Sequence, residues 1–383
     1  MRRLAAALFG CAAATCAAAE FGVTLIVRAD DPRLERGRLE RAVLGHPGGP
    51  ASDGVIVALK EAAFELDAAG AKITLATVAA ATPEAARAAA LAAEKAGAAA
   101  LLVDLPAAAL LAVAEAVKLP VVSIGAAEDR LREADCRRNL LHTLPSERMR
   151  SDALAQALVL RRWQQVLLLT GPAPEDAARS AAASASIKRF GLTLVDTRRF
   201  KLSADPRERE QASPLLLTGK AAYDAVWVVD SDGEFARGLP YRTALPRPVV
   251  GDAGLVALAW QSQFERFGAP QVSRRFARAA ARPMTAHDWS AWIAAKALVA
   301  AAVATSKGPA AAFAKALAEV AIDGSKGVSM SFRPWDGQLR QPLLLSDGQG
   351  VIGTAPIEGL LHPKNVLDTL GADAPEKLCK SRS

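Results

Sequence analysis

Short polar residues follow several apolar runs of the sequence, and these residues are the best candidates for binding a small molecule. Aspartate and serine supply carboxylate and hydroxyl oxygens, and glycine exposes backbone amides, so together they can hydrogen-bond a solute. The same residue types also cap helices that follow strands, and Asp104 before Leu105-Pro106 fits that alternative well. Several of the candidate residues are acids, and their number favours a ligand with cationic or hydroxyl groups. The candidates are Asp104, Ser123, Gly125, Asp230, Ser231 and Asp252.

Signatures of catalysis are missing from the sequence. It contains no G-x-S-x-G nucleophile elbow, no phosphate-binding loop ending in Gly-Lys-Ser or Gly-Lys-Thr, no G-x-G-x-x-G directly after the first strand and no H-E-x-x-H. Its four histidines, His46, His142, His287 and His362, are too far apart in sequence for two to share a helical turn. We therefore predict a binding protein that is not an enzyme and that uses neither a metal ion nor a cofactor.

The elements that must position the candidates alternate along the chain between short β-branched runs and longer alanine-rich stretches. This alternation is typical of α/β proteins with parallel sheets, in which ligands bind beyond the carboxyl ends of the strands. The predicted strands cover residues 21–28, 73–78, 99–103, 120–124, 165–170, 192–197, 225–229 and 248–251. The predicted helices cover residues 52–68, 83–96, 107–117, 146–163, 175–190 and 288–306.

Two stretches interrupt this alternation, and the end of the chain follows a different pattern. Residues 201–219 and 262–285 mix charge and proline, which predicts surface connections or irregular helices. After Gly324, strand-like runs alternate with Asp-Gly pairs, which favours an antiparallel hairpin. No stretch after the first nineteen residues is long and apolar enough to cross a bilayer.

The N-terminus has the composition of a secretion signal. Arg2 and Arg3 precede an apolar run over residues 4–9, and a small-residue stretch closes at Ala19. We expect residues 1–19 to be removed during export to the periplasm. Cys11 after a leucine, a phenylalanine and a glycine offers a lipid anchor as the alternative, but the bulky Phe9 fits such a signal poorly.

The length of the chain indicates its number of domains, and its charge and aromatic content argue against binding of nucleic acid. About 360 remaining residues exceed one compact core, so two domains are expected. Loss of the two arginines with the signal lowers the net charge from +7 to +5, and the basic residues are scattered among acids. Because aromatic residues make up only 5% of the chain, no basic and aromatic surface for nucleic acid is predicted.

Two cysteines, Cys136 and Cys379, remain after export. In an oxidising compartment they are expected to form a disulfide, and a bridge closing so long a loop would contribute about 4 kcal/mol or more in the chain-entropy model. The alternative is two unpaired thiols.

Two segments resemble type I periplasmic binding proteins of the branched-chain amino-acid class. Residues 119–152 (LPVVSIGAAEDRLREADCRRNLLHTLPSERMRSD) are similar to the region where that family's chain leaves its first lobe, and residues 287–332 are similar to its long helix and its entry to a closing hairpin. The resemblance implies an α/β protein with two doubly wound lobes, built on parallel sheets and joined by a three-crossing hinge. Lobe one would contain residues 20–141 and 252–325, lobe two residues 142–251 and 326–361, and residues 362–383 would form a tail.

This resemblance also implies a function. A small solute would bind between the lobes and be delivered to an ABC transporter permease at the inner membrane. The sequences CRRNLLHTLPSERMRSDAL, PLLLTGKAAYDAVWVVDSDGEFARGLPYRT and RPVVGDAGL, together with the closing cysteine-bearing tail, are most similar to binding proteins associated with PQQ-dependent alcohol oxidation. In amino-acid binders further hydroxyls follow the serine, whereas here Ser123 precedes Ile-Gly-Ala-Ala, so a branched-chain amino acid is a poor fit. The alternatives are an accessory factor or enzyme of PQQ-dependent alcohol catabolism, and a sensor that presents its ligand to a membrane receptor.

Overall fold

The computed structural model describes residues 18–309 and 311–382, and the larger of its two parallel sheets comes first in the chain. This sheet consists of β1 (Ala19–Arg28), β2 (Ala71–Ala80), β3 (Ala100–Asp104), β4 (Val121–Ser123) and β5 (Leu140–His142). The strands lie in the order β2-β1-β3-β4-β5, and every neighbouring pair is parallel. We call this sheet and the helices that cover it lobe one.

The second sheet is also parallel. It consists of β6 (Gln165–Thr170), β7 (Thr193–Arg199), β8 (Ala225–Val229) and β9 (Val249–Gly251), in the order β7-β6-β8-β9. We call this sheet and its helices lobe two. In both sheets the strand order reverses beside the first strand, between β1 and β3 and between β6 and β8, and such a switch point is where open α/β sheets bind ligands. The predicted α/β class with two doubly wound parallel sheets is confirmed.

The helices lie mainly in the connections between the strands. Proline and cap residues set several starts, as at Thr82, whose hydroxyl accepts a hydrogen bond from the amide of Ala85. The predicted helix 52–68 is divided in two at Ala62, and α1 and α11 lie in stretches where no regular helix was predicted. The helices are α1 (Arg36–Arg41), α2 (Ser52–Glu61), α3 (Ala63–Ala69), α4 (Pro83–Lys95), α5 (Ala107–Ala116), α6 (Glu147–Leu160), α7 (Pro174–Arg189), α8 (Arg209–Ala212), α9 (Pro214–Leu217), α10 (Glu234–Gly238), α11 (Ala269–Ala280), α12 (Ala286–Thr305) and α13 (Ala312–Glu319).

Two small antiparallel sheets complete the fold. The first combines β10 (Val256–Leu258), β13 (Leu343–Ser346) and β14 (Val351–Ala355), and the second pairs β11 (Ile322–Asp323) with β12 (Ser329–Met330). The expected hairpin is present between β13 and β14 around Asp347-Gly348. At the other Asp-Gly pair, Phe332 and Leu339 form an isolated antiparallel bridge.

Each sheet is covered by apolar side chains on both faces. In lobe one, Leu102 packs with residues of α2 and α12, whereas its neighbours in sequence, Leu101 and Val103, pack with residues of α4 and α5. In lobe two, the neighbouring residues Leu168 and Leu167 likewise belong to two different hydrophobic clusters, one on each face of the sheet. Alternate residues of a strand point to opposite faces, so continuous apolar runs such as 166–169 are explained by burial on both sides.

Within the described residues, three passages lead from the core of lobe one to the core of lobe two or back, and in β13 Leu344 still packs with lobe one while Leu343 and Leu345 pack in lobe two. These passages lie between Leu141 and Met149, between Ala257 and Ala259, and between Leu339 and Leu343. The boundaries expected at 252 and 326 precede the second and third passages. The division of the chain into residues 20–141 with 252–325 and 142–251 with 326–361 stays a prediction.

The C-terminal residues contact both lobes. Leu370 packs in the core of lobe two, and the amide of Gly371 donates to Asp152 of α6 at 2.9 Å. Further along, Cys379 is bonded to Cys136, which precedes β5, with their Cα atoms 5.6 Å apart. Within the described residues, no helix combines the length and the apolar character that crossing a membrane requires.

Candidate functional site

Lobe one carries a buried cluster of charges where β1 and β3 end. Asp104 is the last residue of β3 and pairs with Val27 of β1. Both carboxylate oxygens of Asp104 lie 2.9 Å from Nη2 of Arg33, and Oδ2 also lies 2.9 Å from Nε2 of His287. The same Nη2 of Arg33 lies 2.6 Å from Oδ2 of Asp31. Asp104 is therefore occupied by side chains of the protein itself.

These partners keep Asp104 ionised in a buried position. Burial by itself would raise the pKa of Asp104, but the charges and hydrogen bonds of His287 and Arg33 outweigh it and hold this pKa well below its ordinary value. Burial likewise opposes the charge of Arg33, yet Asp31 and Asp104 raise the pKa of its guanidinium above the usual value. The cluster is a mutually stabilised ion network.

Ser123 and Gly125 lie beside this network and contribute differently from one another. Ser123 is fully buried, and its hydroxyl has no hydrogen-bond partner within the described residues. It is on the same face of the sheet as Val121, which packs with α4 and α5. A Cβ on Gly125 would lie 2.0 Å from Oδ1 of Asp104, so only glycine allows the loop to pass so close to that carboxylate.

Lobe two has a second cluster at its own strand ends, centred on Arg179 of α7. Its Nη2 donates to Oδ1 of Asp252 at 2.6 Å, and its Nη1 donates to Oγ of Ser231 at 3.0 Å. Its Nε lies 3.4 Å from Oε2 of Glu147. The amide and hydroxyl of Ser231 both donate to Oδ1 of Asp176, at 2.9 and 2.5 Å. The structure thus brings Ser231 and Asp252 together around an arginine.

Asp230 fulfils the capping alternative. Its Oδ2 accepts a hydrogen bond of 2.9 Å from the amide of Ala236 in the first turn of α10. Its own amide donates to Oδ2 of Asp252 at 2.7 Å. Burial raises the pKa of the Asp230 carboxyl, and the nearby charge of Asp252 adds to this effect.

The chain between β1 and α2 connects the two clusters, and we call residues 29–51 the bridging segment. It contains Arg33 of the first cluster, and further along it reaches lobe two through ion pairs. Nη2 of Arg38 lies 3.1 Å from Oδ1 of Asp232, and Nη1 of Arg41 lies 2.7 Å from Oε2 of Glu234. The strand ends of the two lobes are therefore held together by direct contacts.

Solved structures provide the relevant comparison. A branched-chain amino-acid ABC transporter periplasmic ligand-binding protein from Burkholderia xenovorans is 16% identical, with a TM-score of 0.70, covering 87% of this chain and 95% of that one. The chain has the fold of type I periplasmic binding proteins. Two further proteins with the type I fold are similar to it. One is a leucine-, isoleucine-, valine-, threonine- and alanine-binding protein from Brucella ovis (14% identity, TM-score 0.68, covering 86% and 90%). The other is an ABC transporter solute-binding protein from R. palustris in complex with benzoate (14% identity, TM-score 0.64, covering 88% and 95%). No family model matches the sequence, and no curated protein does.

Three basic residues that shape the clusters were not predicted from the sequence: Arg33, Arg179 and His287. Their partners are distant in the chain, since 71 residues separate Arg33 from Asp104 and 183 separate His287 from Asp104. A strand-end aspartate is visible in a sequence, but the cation that neutralises it is not. Because these cations already occupy the carboxylates, the acids no longer favour a cationic ligand.

Proposed function

We propose that the protein is a periplasmic solute-binding protein that captures a small solute between its lobes and delivers it to the permease of an ABC transporter. The observation that carries this proposal is the contact between the strand ends of the two parallel sheets through the bridging segment. Strand ends at a switch point are where such sheets bind ligands, and here both sets lie within one network of contacts. Several proteins of similar fold are named as solute-binding proteins of ABC transporters.

Solute binding would act on the equilibrium between open and closed arrangements of the lobes. The three passages of the chain between the cores are the natural hinge, because few other backbone segments would need to bend. A solute that touches both strand-end clusters would bind the closed form more tightly than the open form and so favour closure. A permease that recognises the closed form would then receive loaded protein.

Export to the periplasm follows from the predicted signal over residues 1–19, of which residues 1–17 lie outside the described part of the chain. Cleavage after Ala19 would leave β1 nearly complete. The strand begins at Ala19, so cleavage would remove only the first pair of its register with β2, Ala19 with Ala71. N-terminal sequencing of the protein recovered from a periplasmic extract tests this. We expect Glu20 as the first residue, and an intact Met1 would contradict export by cleavage.

We further propose that the transported solute is connected with PQQ-dependent alcohol oxidation. The support for this link is the sequence resemblance carried by residues 136–154, 214–243 and 247–255 and by the C-terminal tail that contains Cys379. Deletion of the gene should impair growth on methanol or ethanol while growth on succinate is unaffected. Equal growth on all three would remove the link and leave the solute-binding role intact.

The solute-binding role is tested by identifying what the purified protein carries. The protein is denatured, and the released small molecules are identified by mass spectrometry and added back to ligand-free protein in a thermal-shift assay. We expect an unchanged solute that raises the midpoint, since a ligand at a hundred times its Kd adds about 2.7 kcal/mol of stability. Conversion of that solute on incubation would instead favour the accessory enzyme.

A further inference from the structure

Arg28 is a cation without an anionic partner at the switch point of lobe one. It is the last residue of β1 and lies in register with Ala80 of β2, on the edge of the sheet where Asp104 ends β3. Within residues 18–309 and 311–382, no carboxylate lies within ion-pair distance of its guanidinium. Its Nε is buried and has no hydrogen-bond partner there. Arg28 as a whole is half-buried, and its buried Nε carries a desolvation cost that no hydrogen bond offsets.

Two of the carboxylates whose charges act on Arg28, those of Asp31 and Asp104, are already occupied. Asp31 accepts bonds from Nε and Nη2 of Arg33, at 2.9 and 2.6 Å, and from its backbone amide at 3.0 Å. Asp104 is bonded to Arg33 and to His287. The charges of these two aspartates and of Glu128 reach Arg28 only through space, and that of Arg33 opposes them. Arg28 is therefore left with unused donors in a partly desolvated site.

A carboxylate is the group that such a site fits best. The guanidinium presents donors in a planar fork that matches the two oxygens of a carboxylate, and the resulting pair is about twice as strong as a neutral hydrogen bond. Burial lowers the pKa of Arg28, and Arg33 lowers it further, so an incoming anion would relieve an existing electrostatic cost.

We infer that Arg28 is the specificity-determining residue of the cleft and that it binds a carboxylate of the solute. This inference rests on the proposed solute-binding function and adds the chemical class of the ligand. It replaces the expectation of a cationic ligand, since that expectation depended on acids that Arg33, His287 and Arg179 occupy. Neutral analogues of the same size would lack the paired oxygens and would leave the guanidinium unsatisfied.

The test compares carboxylates with neutral or carboxylate-free analogues of the same shape. Ligand-free protein is titrated with benzoate and benzamide, 4-hydroxybenzoate and 4-hydroxybenzamide, and leucine and leucinol, and Kd is measured by calorimetry. We expect at least one acid to bind and its analogue to bind at least about 30-fold more weakly. Arg28→Met should reduce the affinity for that acid by a similar factor. Arg28→Lys keeps the positive charge but loses the planar pair of donors, so its affinity should lie between those of the wild type and Arg28→Met.

Two controls separate a binding role from a structural one. Arg87→Met removes an exposed arginine from α4 and should leave the Kd unchanged. Ligand-free Arg28→Met should unfold at the same temperature as the wild type or higher, because the substitution removes an unpaired and desolvated cation. A lower midpoint together with unchanged affinity would show that Arg28 is structural and would overturn the inference.

The remaining outcomes are also decisive. If an acid and its analogue bind equally well, or if Arg28→Met binds the acid like the wild type, the inference is wrong although the solute-binding function stands. It is equally wrong if no carboxylate of the panel binds and the solute released from the purified protein is neutral or cationic. If the purified protein carries no solute and nothing in the panel binds, the proposed function itself fails.

Discussion

Asp104 keeps its negative charge in the interior because Arg33 and His287 lie within hydrogen-bond distance. A buried carboxylate without such partners would be neutral at pH 7. Arg33 joins Asp104 to Asp31, which precedes it in the bridging segment, so the network connects β3, the bridging segment and α12. Loss of one charge from it therefore affects three elements at once.

Replacement of Asp104 by asparagine should destabilise the fold in a pH-dependent way. At pH 7 we expect a loss of about 3 kcal/mol in the free energy of unfolding, since Arg33 and His287 lose the buried carboxylate that they contact. The folded pKa of Asp104 is depressed, so its contribution is complete above the unfolded pKa of about 4 and is lost as pH falls toward the folded pKa. The difference between wild type and Asp104→Asn should therefore shrink by about 1 kcal/mol at pH 3.

Urea unfolding at pH 7 and pH 3 measures this difference. Asp67→Asn is the matched control, because Asp67 is exposed on α3 and its replacement should change stability by less than about 0.5 kcal/mol. An Asp104→Asn variant as stable as the wild type at pH 7 would show that the network contributes no net stability.

The sequence predicted where polar residues end strands, and it did not predict which of them are free to bind. Asp230, Ser231 and Asp252 do lie together, because strands β8 and β9 are neighbours and end at one edge. Their occupancy depends on Arg179, which comes from α7 on a separate part of the chain. Pairings of this kind depend on tertiary packing, for which a strand-and-helix pattern holds no information.

At the scale of elements, the bridging segment is the least regular part of lobe one and has a distinct position. Its helix α1 has no buried residue, and it contacts lobe two through Arg38 and Arg41. Val43 packs against Gly233, where an added Cβ would lie 2.8 Å from its Cγ1. We infer that these contacts help to hold the two lobes in the closed arrangement.

Reversal of both charges by Arg38→Glu and Arg41→Glu should favour the open arrangement. Each exposed ion pair contributes about 0.2–1 kcal/mol, so the loss of both should weaken solute binding by about 2- to 30-fold without unfolding the protein. Solute affinity and the radius of gyration from small-angle scattering measure the effect, which should diminish in high salt.

Arg36→Glu provides the control for α1. The side chain of Arg36 is 92% exposed and, among the residues that the structure describes, pairs only with Glu40 of the same helix. Its replacement should therefore leave affinity and radius of gyration unchanged. If it changes them as much as the double reversal does, the ion pairs between lobes are not the cause.

Most strands were predictable, and the exceptions have clear causes. Residues 165–170 and 225–229 were predicted with their observed bounds, because long apolar runs between polar residues are unambiguous. Strand β5 was missed, since its three residues acquire strand structure only by pairing with β4. Helix α1 was missed because its mixture of arginine and glutamate has no apolar face.

At the scale of the whole molecule, the C-terminal tail joins the lobes beside the first passage, which lies between Leu141 and Met149. Glu376 pairs with Arg148 of α6 at 2.6 Å, which fixes the tail to lobe two. Arg382 donates to the carbonyl of Leu140 in β5 at 2.5 Å, and the disulfide lies beside this contact, which fixes the tail to lobe one. The disulfide of the tail therefore closes a covalent loop that contains most of the chain.

Removal of the disulfide by Cys136→Ser with Cys379→Ser should lower the free energy of unfolding by about 5 kcal/mol, because the bridge closes a loop spanning 243 residues. Denaturant unfolding of protein produced without residues 1–19 measures this, and unfolded wild type without reductant should show no free thiol.

Release of the tail should also expose residues 377–382 to carboxypeptidase. Ser381→Ala, which removes the hydroxyl beside Cys136 and leaves the bridge, should cost less than about 1 kcal/mol. Two reactive thiols in the unfolded wild type, or equal stability of the serine variant, would contradict a stabilising bridge between the tail and lobe one.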